Sequence, residues 1–399
     1  MAYSRQGAAR AGGVRRGIQG IAAAATLSAC AGAGWYGCAI YDPSLLVSSD
    51  GGDNDGASSD GGGDGAPGDD GGCAHATPPP RPTTNDGTQD LLFVVALHGI
   101  DFGASLDAGS LSGVGYDLDG VCTCPGPPSC KTNDPKQMHC DDDAGRDNAG
   151  GALLKDFALL SGGTFTQDGL NRNIEAGLYG LVMRIEHYNG GANDTDVTVS
   201  IFVSNGTPPG PDAGPNDHMV PAWNGTDSWT LDSASVFGGS GDAGRVIPNF
   251  ADTHAYVANH VLVASADFPL TLGSSGLVTL EFVGGFVTAN IFPQGGTYKL
   301  SSGILAGRWP TTKLLGTLQS LSLAGLGNVC KGTQTYRDVK TRICGGADIS
   351  AELNADAGSG CNALSLAIQF SADPAQLGAV EPRTPSPPLC PDAGTDDCP

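Results

Sequence analysis

The sequence predicts a mostly β domain, an antiparallel β-sandwich or jelly roll, with a small disulfide-linked C-terminal helical segment. The chain contains 62 glycines and 26 prolines, which favour turns and loops over long helices. From Asp90 onward, short apolar and β-branched runs alternate with turn residues. Residues 196–203 (DVTVSIFV) alternate polar and apolar side chains at period two, as a half-buried strand does.

A lipoprotein signal peptide is predicted over residues 1–29. Residues 1–16 carry four arginines and no acid, and residues 17–27 are apolar and small. This apolar run of about eleven residues is too short to span a membrane and suits the h-region of a signal peptide. Leu27-Ser28-Ala29-Cys30 follows at once and resembles the bacterial lipobox, in which the cysteine is diacylated and becomes the first mature residue. We therefore predict lipidation of Cys30.

Cys38 is the alternative lipidation site. Trp35 and Tyr36 before it are poor lipobox residues, but cysteine parity favours it. The chain has 12 cysteines, so lipidation of Cys30 leaves an odd number, whereas lipidation of Cys38 with loss of Cys30 leaves ten that can all pair. Neither cysteine precedes an aspartate, which by resemblance to lipoproteins in general favours the outer membrane. We expect the protein there, facing the cell surface or the periplasm.

A disordered tether is predicted over residues 30–89. Residues 48–72 hold seven aspartates and no basic or large apolar residue, so they cannot bury a core. Residues 77–82 (TPPPRP) add a short polyproline II spacer. A coil of about 50 residues has a root-mean-square reach of roughly 40 Å, which would hold a domain clear of a lipid surface.

The β-sandwich-like domain is predicted to span residues 90–310. Within it, apolar, β-branched or aromatic runs are separated by Gly, Asn, Asp and Pro turns. The candidate strands are residues 91–97, 178–187, 196–204, 229–237, 255–264, 277–283, 286–292 and 297–305. Short helices are expected at residues 151–160 and 170–176. No internal repeat of fixed period is evident, which argues against a propeller or solenoid.

A helical segment with a returning strand is predicted over residues 311–370. Leucines recur near the helical period in residues 311–326, and residues 333–343 form a second candidate helix. Residues 363–370 alternate again and are expected to rejoin the sheet. The Pro- and Asp-rich remainder, residues 371–399, is predicted to be a tail without regular structure.

Cysteine content predicts an oxidising compartment, because paired cysteines persist outside the cytoplasm. Eight cysteines are predicted to form disulfides: Cys122, Cys124, Cys130, Cys140, Cys330, Cys344, Cys390 and Cys398. The first four have C-x-C-x₅-C-x₉-C spacing, which departs from the C-x₂₋₄-C pairs of structural zinc sites. Cys122 and Cys124 are each expected to pair with one of the two cysteines that follow them.

Two further disulfide expectations concern the C-terminal part of the chain. A bond between Cys330 and Cys344 would close a small helical hairpin around residues 333–343. Cys390 and Cys398 would pin the tail. The sequence leaves the connectivity open.

The charge of the chain restricts its partners. The net charge is −22, and it becomes −26 once the four arginines of the signal peptide are removed. Such a surface repels phosphate backbones and anionic lipid headgroups, since nucleic-acid binding depends on clustered Lys and Arg. We therefore expect no nucleic-acid partner, and we expect cations among the small ligands.

A calcium site is predicted in the densest acidic region, residues 117–148. Its candidate ligands are Asp117, Asp119, Asp141, Asp143, Asp147 and Asn148. Ca²⁺ takes six to eight oxygen ligands, and these side chains offer hard oxygens around glycine-containing turns. No glutamate closes the loop at the twelfth position, so the spacing is not that of an EF-hand. Solvated acidic turns are the alternative interpretation.

An aromatic ligand platform is a second candidate site. Tyr188 and Trp223 each precede an Asn-Gly pair, the strongest two-residue hairpin signal, and Trp229 lies nearby in the sequence. Exposed aromatic rings on a β-sandwich could stack on sugar rings. The alternative is that these rings pack at the edge of the core.

Recognisable catalytic motifs are missing from the sequence. None of the seven histidines lies in H-E-x-x-H, and the chain has no G-x-S-x-G elbow and no P-loop. Catalysis would therefore have to come from the clustered aspartates. A secreted hydrolase, directed at glycans or esters and using the Asp-rich loops, is the alternative function.

Several stretches resemble an uncharacterised lipoprotein group of predatory soil bacteria. They are residues 115–124 (GYDLDGVCTC), 145–148 (GRDN), 188–194 (YNGGAND) and 306–309 (AGRW). The resemblance covers most of residues 90–385 and implies a lipoprotein address without implying an activity.

The expected function is that of a lipid-anchored cell-surface protein acting as a non-catalytic binding or adhesion module. Its expected partners are the membrane, through the lipid anchor, and a glycan or another surface protein. Calcium is the expected cofactor.

Overall fold

The structure is a computed structural model, and it describes most of the chain from Cys73 onward. The described ranges are residues 73–103, 113–124, 126–136, 139–142, 144–160, 166–210, 214, 217–239, 246–267, 269–272, 278–323, 327–355, 358–382, 389–390 and 394–399. The predicted signal peptide, Cys30, Cys38 and the aspartate-rich part of the predicted tether lie outside these residues.

Eight strands form a closed antiparallel β-barrel. In order around the barrel they are β3 (Asp194–Gly206), β2 (Gly180–Tyr188), β1 (Leu91–Asp101), β13 (Ala363–Pro374), β10 (Thr297–Pro310), β9 (Val283–Gln294), β6 (Val261–Ser265) and β5 (Ala251–Ala258). The barrel closes where β5 pairs with β3, with Ala255 opposite Val197.

The remaining elements lie outside the eight-strand ring. The other strands are β4 (Ser228–Asp232), β7 (Pro269–Leu272), β8 (Val278–Glu281), β11 (Ser322–Leu323), β12 (Gly327–Asn328) and β14 (Gln376–Glu381). The helices are α1 (Ala149–Leu160), α2 (Gln167–Glu175), α3 (Thr311–Leu318) and α4 (Gln334–Gly345). β4 extends from β3, and β14 runs parallel to β4. β7 pairs with β8 and β11 pairs with β12, each as a separate two-stranded sheet.

The predicted sandwich or jelly roll is wrong, because the strands close into one ring instead of two facing sheets. The mostly β composition and the strand periodicity are the same in both architectures. The difference lies in long-range pairing, and the β3–β5 pairing that closes the ring leaves no local signature in the sequence.

One face of every barrel strand points into the ring and fills it. Inward residues pair with inward residues all the way around, for example Phe93 with Ile185 and Leu305 with Ile368. All four belong to a single buried cluster with residues from each of the eight strands. An eight-stranded barrel is just narrow enough for its own side chains to fill it.

A second apolar cluster lies on the outer face of β2 and β3, under β4. Trp229 and Leu231 of β4 are fully buried there against Val182 and Phe202. This cluster explains why β4 packs onto the barrel without joining the ring.

Several predicted elements differ from the observed ones, among them the strand predicted over residues 229–237, which ends as β4 at Asp232. The strand predicted over residues 255–264 is two strands, because Asn259 and His260 have φ of +51° and +64° and form a tight turn between β5 and β6. The helix predicted over residues 311–326 ends as α3 at Leu318. β14 occupies the beginning of the predicted tail, so that tail is only partly irregular.

Residues 73–89, the last part of the predicted disordered tether, are ordered and lie against the barrel. We call this segment the strap. The Tyr256 hydroxyl donates to the carbonyl of Pro79 at 2.6 Å, and the Arg81 guanidinium lies 4.6 Å above the Tyr256 ring. The Asn85 side chain accepts the N–H of Thr195 at 2.7 Å. Proline content predicted an extended segment, but its docking depends on partners far away in the sequence.

Five disulfides use all ten cysteines from Cys73 to Cys398. The pairs are Cys73–Cys122, Cys124–Cys140, Cys130–Cys361, Cys330–Cys390 and Cys344–Cys398. All eight cysteines predicted to be bonded are bonded. The predicted hairpin closure between Cys330 and Cys344 is wrong, since each of them bonds to a tail cysteine instead. Cys122 and Cys130 also pair outside their own cluster, with Cys73 and Cys361.

The disulfides indicate a protein that resides outside the cytoplasm. Within the part of the chain that the structure describes, every helix is too short or too polar to cross a membrane.

Candidate metal centre

Two loops cover the outer face of the barrel at β10 and β13. The first loop comprises residues 113–124, and the second comprises residues 139–148. In the first loop, the carbonyl of Leu118 accepts a hydrogen bond from the Arg308 side chain of β10. Where the second loop ends, the N–H of Ala149 donates to the Ser365 hydroxyl of β13 at 2.9 Å. The barrel wall therefore positions both loops against each other.

Asp117 and Asp119 of the first loop meet Asp147 of the second. One carboxylate oxygen of each lies within 4.8 Å of the other two. The Asp117 side chain is only 1% exposed, and Asp147 is 3% exposed. We call these three residues the aspartate triad. Because its carboxylates repel one another and have lost most of their water, a cation or bound protons must compensate their charge.

Each triad carboxylate accepts a backbone N–H of the first loop. The bonds run from Gly120 to Asp117 at 2.6 Å, from Val121 to Asp119 at 3.0 Å and from Leu118 to Asp147 at 2.7 Å. Gly120 has φ of +76°, a conformation that glycine adopts without strain. The sequence Asp-Leu-Asp-Gly can therefore turn back on its own aspartates.

Side chains from elsewhere complete this arrangement. His75 of the strap hydrogen-bonds Asp117, and the Ser129 hydroxyl donates to Asp119. The Cys73–Cys122 disulfide joins the strap to the first loop beside these contacts. The strap is thereby held at the triad by a covalent bond and a side-chain hydrogen bond.

Asp141 lies beside the triad as a fourth carboxyl group. It hydrogen-bonds Asp147, and it accepts the N–H of Thr123 at 2.6 Å. Burial, with a smaller contribution from the negative charge of Asp119, raises the pKa of Asp141 from 3.8 to about 6 against the opposing hydrogen bond from Thr123.

The carboxyl groups of Asp147 and Asp119 are also hard to ionise. Burial raises the pKa of Asp147 well above its usual value, and the charges of Asp119 and Asp348 add to the effect. Burial likewise raises the pKa of Asp119, although its bonds to Ser129 and Val121 oppose the increase. Without added positive charge, this centre favours bound protons.

Arg308 supplies one positive charge next to the triad. The residue is 7% exposed, and burial lowers the pKa of its guanidinium against the attraction of Asp119, Asp147 and Asp117. Its Nε has no hydrogen-bond partner among the described residues. One guanidinium cannot balance three ionised carboxylates together with Asp141.

Asp348 forms an outer layer of the same centre. Its carboxylate accepts the N–H of Ser365 at 2.9 Å and also the Ser365 hydroxyl. Desolvation of the carboxyl group raises the pKa of Asp348 from 3.8 to about 7, and the charge of Asp119 contributes.

The predicted calcium ligands separate into groups in the structure. Asp117, Asp119 and Asp147 come together, and Asp141 lies next to them. Asn148 has a different role, since its side-chain oxygen accepts the N–H groups of Gly151 at 3.1 Å and of Ala367 at 2.9 Å. It caps the start of α1 and fixes this helix to β13. Asp143 lies outside the described residues.

Other residues of the centre were not predicted from the sequence. His75, Ser129, Arg308 and Asp348 are separated from the triad by between 10 and more than 200 positions in the chain. Arg308 lies in a β-strand pattern, and nothing in its neighbourhood points to an acidic partner. Only the closed barrel brings β10 beside the first loop.

The predicted aromatic platform does not form. Tyr188 is 1% exposed and Trp229 is fully buried, so neither ring can stack on a sugar. Trp223 is half-buried, with the His98 ring stacked on it at a centroid distance of 4.0 Å and with the Trp229 ring 5.5 Å away in a tilted arrangement. These aromatics form the edge of the core, which was the alternative interpretation.

Comparison with protein-family models, with curated proteins and with solved structures finds no match to this chain.

Proposed function

We propose that the chain is a lipid-anchored cell-surface protein, a non-catalytic binding or adhesion module whose aspartate triad holds Ca²⁺. The observation that carries this proposal is the burial of three converging carboxylates beside a single guanidinium. Such a centre stabilises a fold when a cation neutralises it, and it strains the fold when it is left ionised and empty.

The chemistry of the donor set fits calcium. All three triad groups are carboxylates, which are hard oxygen ligands, and Ca²⁺ accepts irregular geometries with six to eight oxygens. Asp141 offers a further oxygen beside the triad, and water would complete the shell. The ion would join the first loop to the second, and both loops to the barrel wall.

The alternative function, a hydrolase using these loops, has less support. A carboxylate that attacks or protonates a glycan or an ester must reach the scissile bond. The Asp117 and Asp147 side chains are nearly inaccessible, whereas a dehydrated ion is small enough to reach them. The observed burial therefore favours a structural cation over a polymeric substrate.

The lipid anchor is part of the same proposal. Because the ten cysteines from Cys73 onward pair among themselves, Cys30 and Cys38 have no partner there. Lipidation of Cys30 leaves Cys38 as an odd thiol, and lipidation of Cys38 leaves none. The intact mass of the exported protein distinguishes the two sites, because cleavage before Cys38 removes eight more residues. The outer membrane remains the proposed location.

Calcium binding is tested by thermal unfolding of the exported full chain with CaCl₂ or with a chelator. Ligand at 100 times its dissociation constant stabilises the folded state by about 2.7 kcal/mol. We expect Asp119→Asn to lose this stabilisation. Asp142→Asn is the matched control, since Asp142 lies in the second loop but forms an ion pair with Arg146 at 2.8 Å outside the triad.

Two results would overturn the proposal. Equal melting temperatures with calcium and with chelator would show that the site does not bind calcium. Turnover of a polysaccharide or ester panel that Asp117→Asn abolishes, with unchanged melting, would establish the hydrolase. The binding role itself is tested by retention of the labelled chain on glycan arrays and on intact bacterial cells.

A further inference from the structure

The disulfides connect the two ends of the domain by a short covalent route. From Cys73 the route crosses to Cys122, follows the backbone to Cys130 and crosses to Cys361. It then follows the backbone to Cys344 and crosses to Cys398, next to the last residue. Only eight backbone steps separate Cys122 from Cys130, and seventeen separate Cys344 from Cys361.

The barrel strands lie in closed rings beside this route. The Cys73–Cys122 bond encloses the strap and β1, which would otherwise be the first elements to be pulled away by force on the N-terminal side. The Cys130–Cys361 bond encloses every strand from β2 to β12. β1 lies between β2 and β13 in the ring, so its loss would open the barrel.

We infer that these three disulfides form a load path that carries traction from the N-terminal anchor past the barrel. Force applied at Cys73 passes through Cys122 and Cys130 to Cys361, and the strands in the rings bear little of it. The biological use of such a path rests on the proposed lipid anchor and adhesion role, and it requires a partner that pulls on the segment from Cys344 onward. The path itself is a property of the oxidised chain.

The length that the chain can release under force differs greatly between a domain with the disulfide route and one without it. A chain of 326 steps from Cys73 to Pro399 extends to about 1,200 Å at roughly 3.6 Å per residue. Along the disulfide route, the 25 backbone steps extend to only about 90 Å. The two values differ by more than tenfold.

The test is single-molecule pulling of the full exported chain, with one handle at the N-terminal cysteine in place of the lipid and another at Pro399. Residues before Cys73 lengthen every trace equally. We expect the oxidised wild-type domain to release at most about 90 Å. Cys73→Ser with Cys122→Ser should add the 49 residues of that ring, about 180 Å.

Two further variants make the test specific. Cys130→Ser with Cys361→Ser reroutes the path through residues 140–330 and should add about 600 Å. Cys330→Ser with Cys390→Ser is the control, because that bond is not on the route and its loss should leave the released length unchanged.

The load path can be tested even if the cysteine variants do not fold. If a variant fails to fold, a reductant added to the wild-type chain under constant force should release the same lengths stepwise. Release of several hundred Å from the fully oxidised wild-type chain would overturn the inference. Failure of calcium or partner binding would leave these lengths unaffected, so the two proposals fail separately.

Discussion

His75 hydrogen-bonds the carboxylate of Asp117 across 42 residues of the chain. The contact ties the strap to the aspartate triad, although neither residue has a sequence pattern that points to the other. His75 is the more exposed partner, with 37% of its side chain accessible against 1% for Asp117.

His75→Ala tests this link. Hydrogen bonds of charged groups contribute about 1.5–3 kcal/mol when buried, and exposure of the histidine reduces that figure. We expect the free energy of unfolding in urea to fall by about 1 kcal/mol, while stabilisation by calcium persists because His75 is not in the triad. His187→Ala is the control, since His187 and Asp90 are both well exposed and should contribute almost nothing. Equal effects of the two substitutions would contradict a specific role of His75.

Arg308→Met tests the charge balance at the triad. Removing one partner of a buried ionic group costs about 3–5 kcal/mol, because the remaining carboxylates lose their counter-charge. We expect a loss of this size in chelator at pH 8. The loss should shrink with CaCl₂ or at pH 5, where a cation or protons neutralise the triad. Urea unfolding under the three conditions measures it.

Arg184→Met is the matched control for that experiment. Arg184 is also partly buried, but its partner is Glu186, at 2.8 Å. Its replacement should destabilise the protein without any rescue by calcium. Rescue of both variants, or of neither, would show that Arg308 does not serve the triad.

Asp348→Asn tests the pH dependence. The folded-state pKa of Asp348 is about 7, above the unfolded value of 3.8, so folding binds a proton between these values. The protonated group is fully compatible with the fold below pH 4, and stability falls as the pH rises from about 4 to 7. The group is half-buried, so we expect a loss of about 2 kcal/mol, less than the full pKa difference implies.

The asparagine variant should not show this loss. Its side chain can accept the Ser365 N–H and donate to the Ser365 hydroxyl, so the local hydrogen bonds persist. Urea unfolding from pH 4 to pH 8 in chelator should therefore give a flatter profile than the wild-type chain. An unchanged slope of the unfolding free energy against pH would show that a group other than Asp348 titrates.

Trp229→Ala tests the second apolar cluster. Trp229 is fully buried against Val182 and Phe202 on the outer face of the barrel. Truncation of such a side chain costs about 3–5 kcal/mol, since it leaves a cavity. We expect the free energy of unfolding in urea to fall by that amount. Stabilisation by calcium should persist, because the triad lies in the first and second loops and not in this cluster. A loss of calcium response would indicate that the cluster and the triad are coupled.

The thiol count tests the disulfide network. Alkylation without reduction should add nothing to any of the ten cysteines from Cys73 to Cys398. Peptide mass spectrometry locates any label that is found. A labelled Cys330 or Cys390 would contradict the tail connectivity, and a label confined to Cys38 would favour lipidation of Cys30.

Local patterns in the sequence predicted much of the secondary structure. The period-two alternation around Val199 identified β3, and the apolar run after Asp90 identified β1. Helical spacing between Cys330 and Cys344 identified α4. These predictions succeed because strand and helix periodicity depends on residues that are neighbours in the sequence.

Only those residues of the candidate site that lie close together in the sequence could be predicted. Asp117 and Asp119 lie in one turn, and the acidic run near Asp147 is dense enough to suggest a cation. Arg308 and Asp348 could not be found this way, because their approach to the triad depends on β10 and β13 being neighbours in the ring. For the same reason the sequence predicts an exposed Trp229, whereas the packing of β4 against the barrel buries it.

The sequence by itself determined the acidic character, the use of cysteines as disulfides and the alternation of strands, and it predicts an export address. Only the tertiary structure decided that the strands close into a barrel, that Cys330 and Cys344 bond to the tail, and that residues 73–89 dock. The physical reason is that composition and periodicity describe interactions between near neighbours. Ring closure, disulfide partners and a buried charge cluster depend on contacts between residues that only the folded chain brings together.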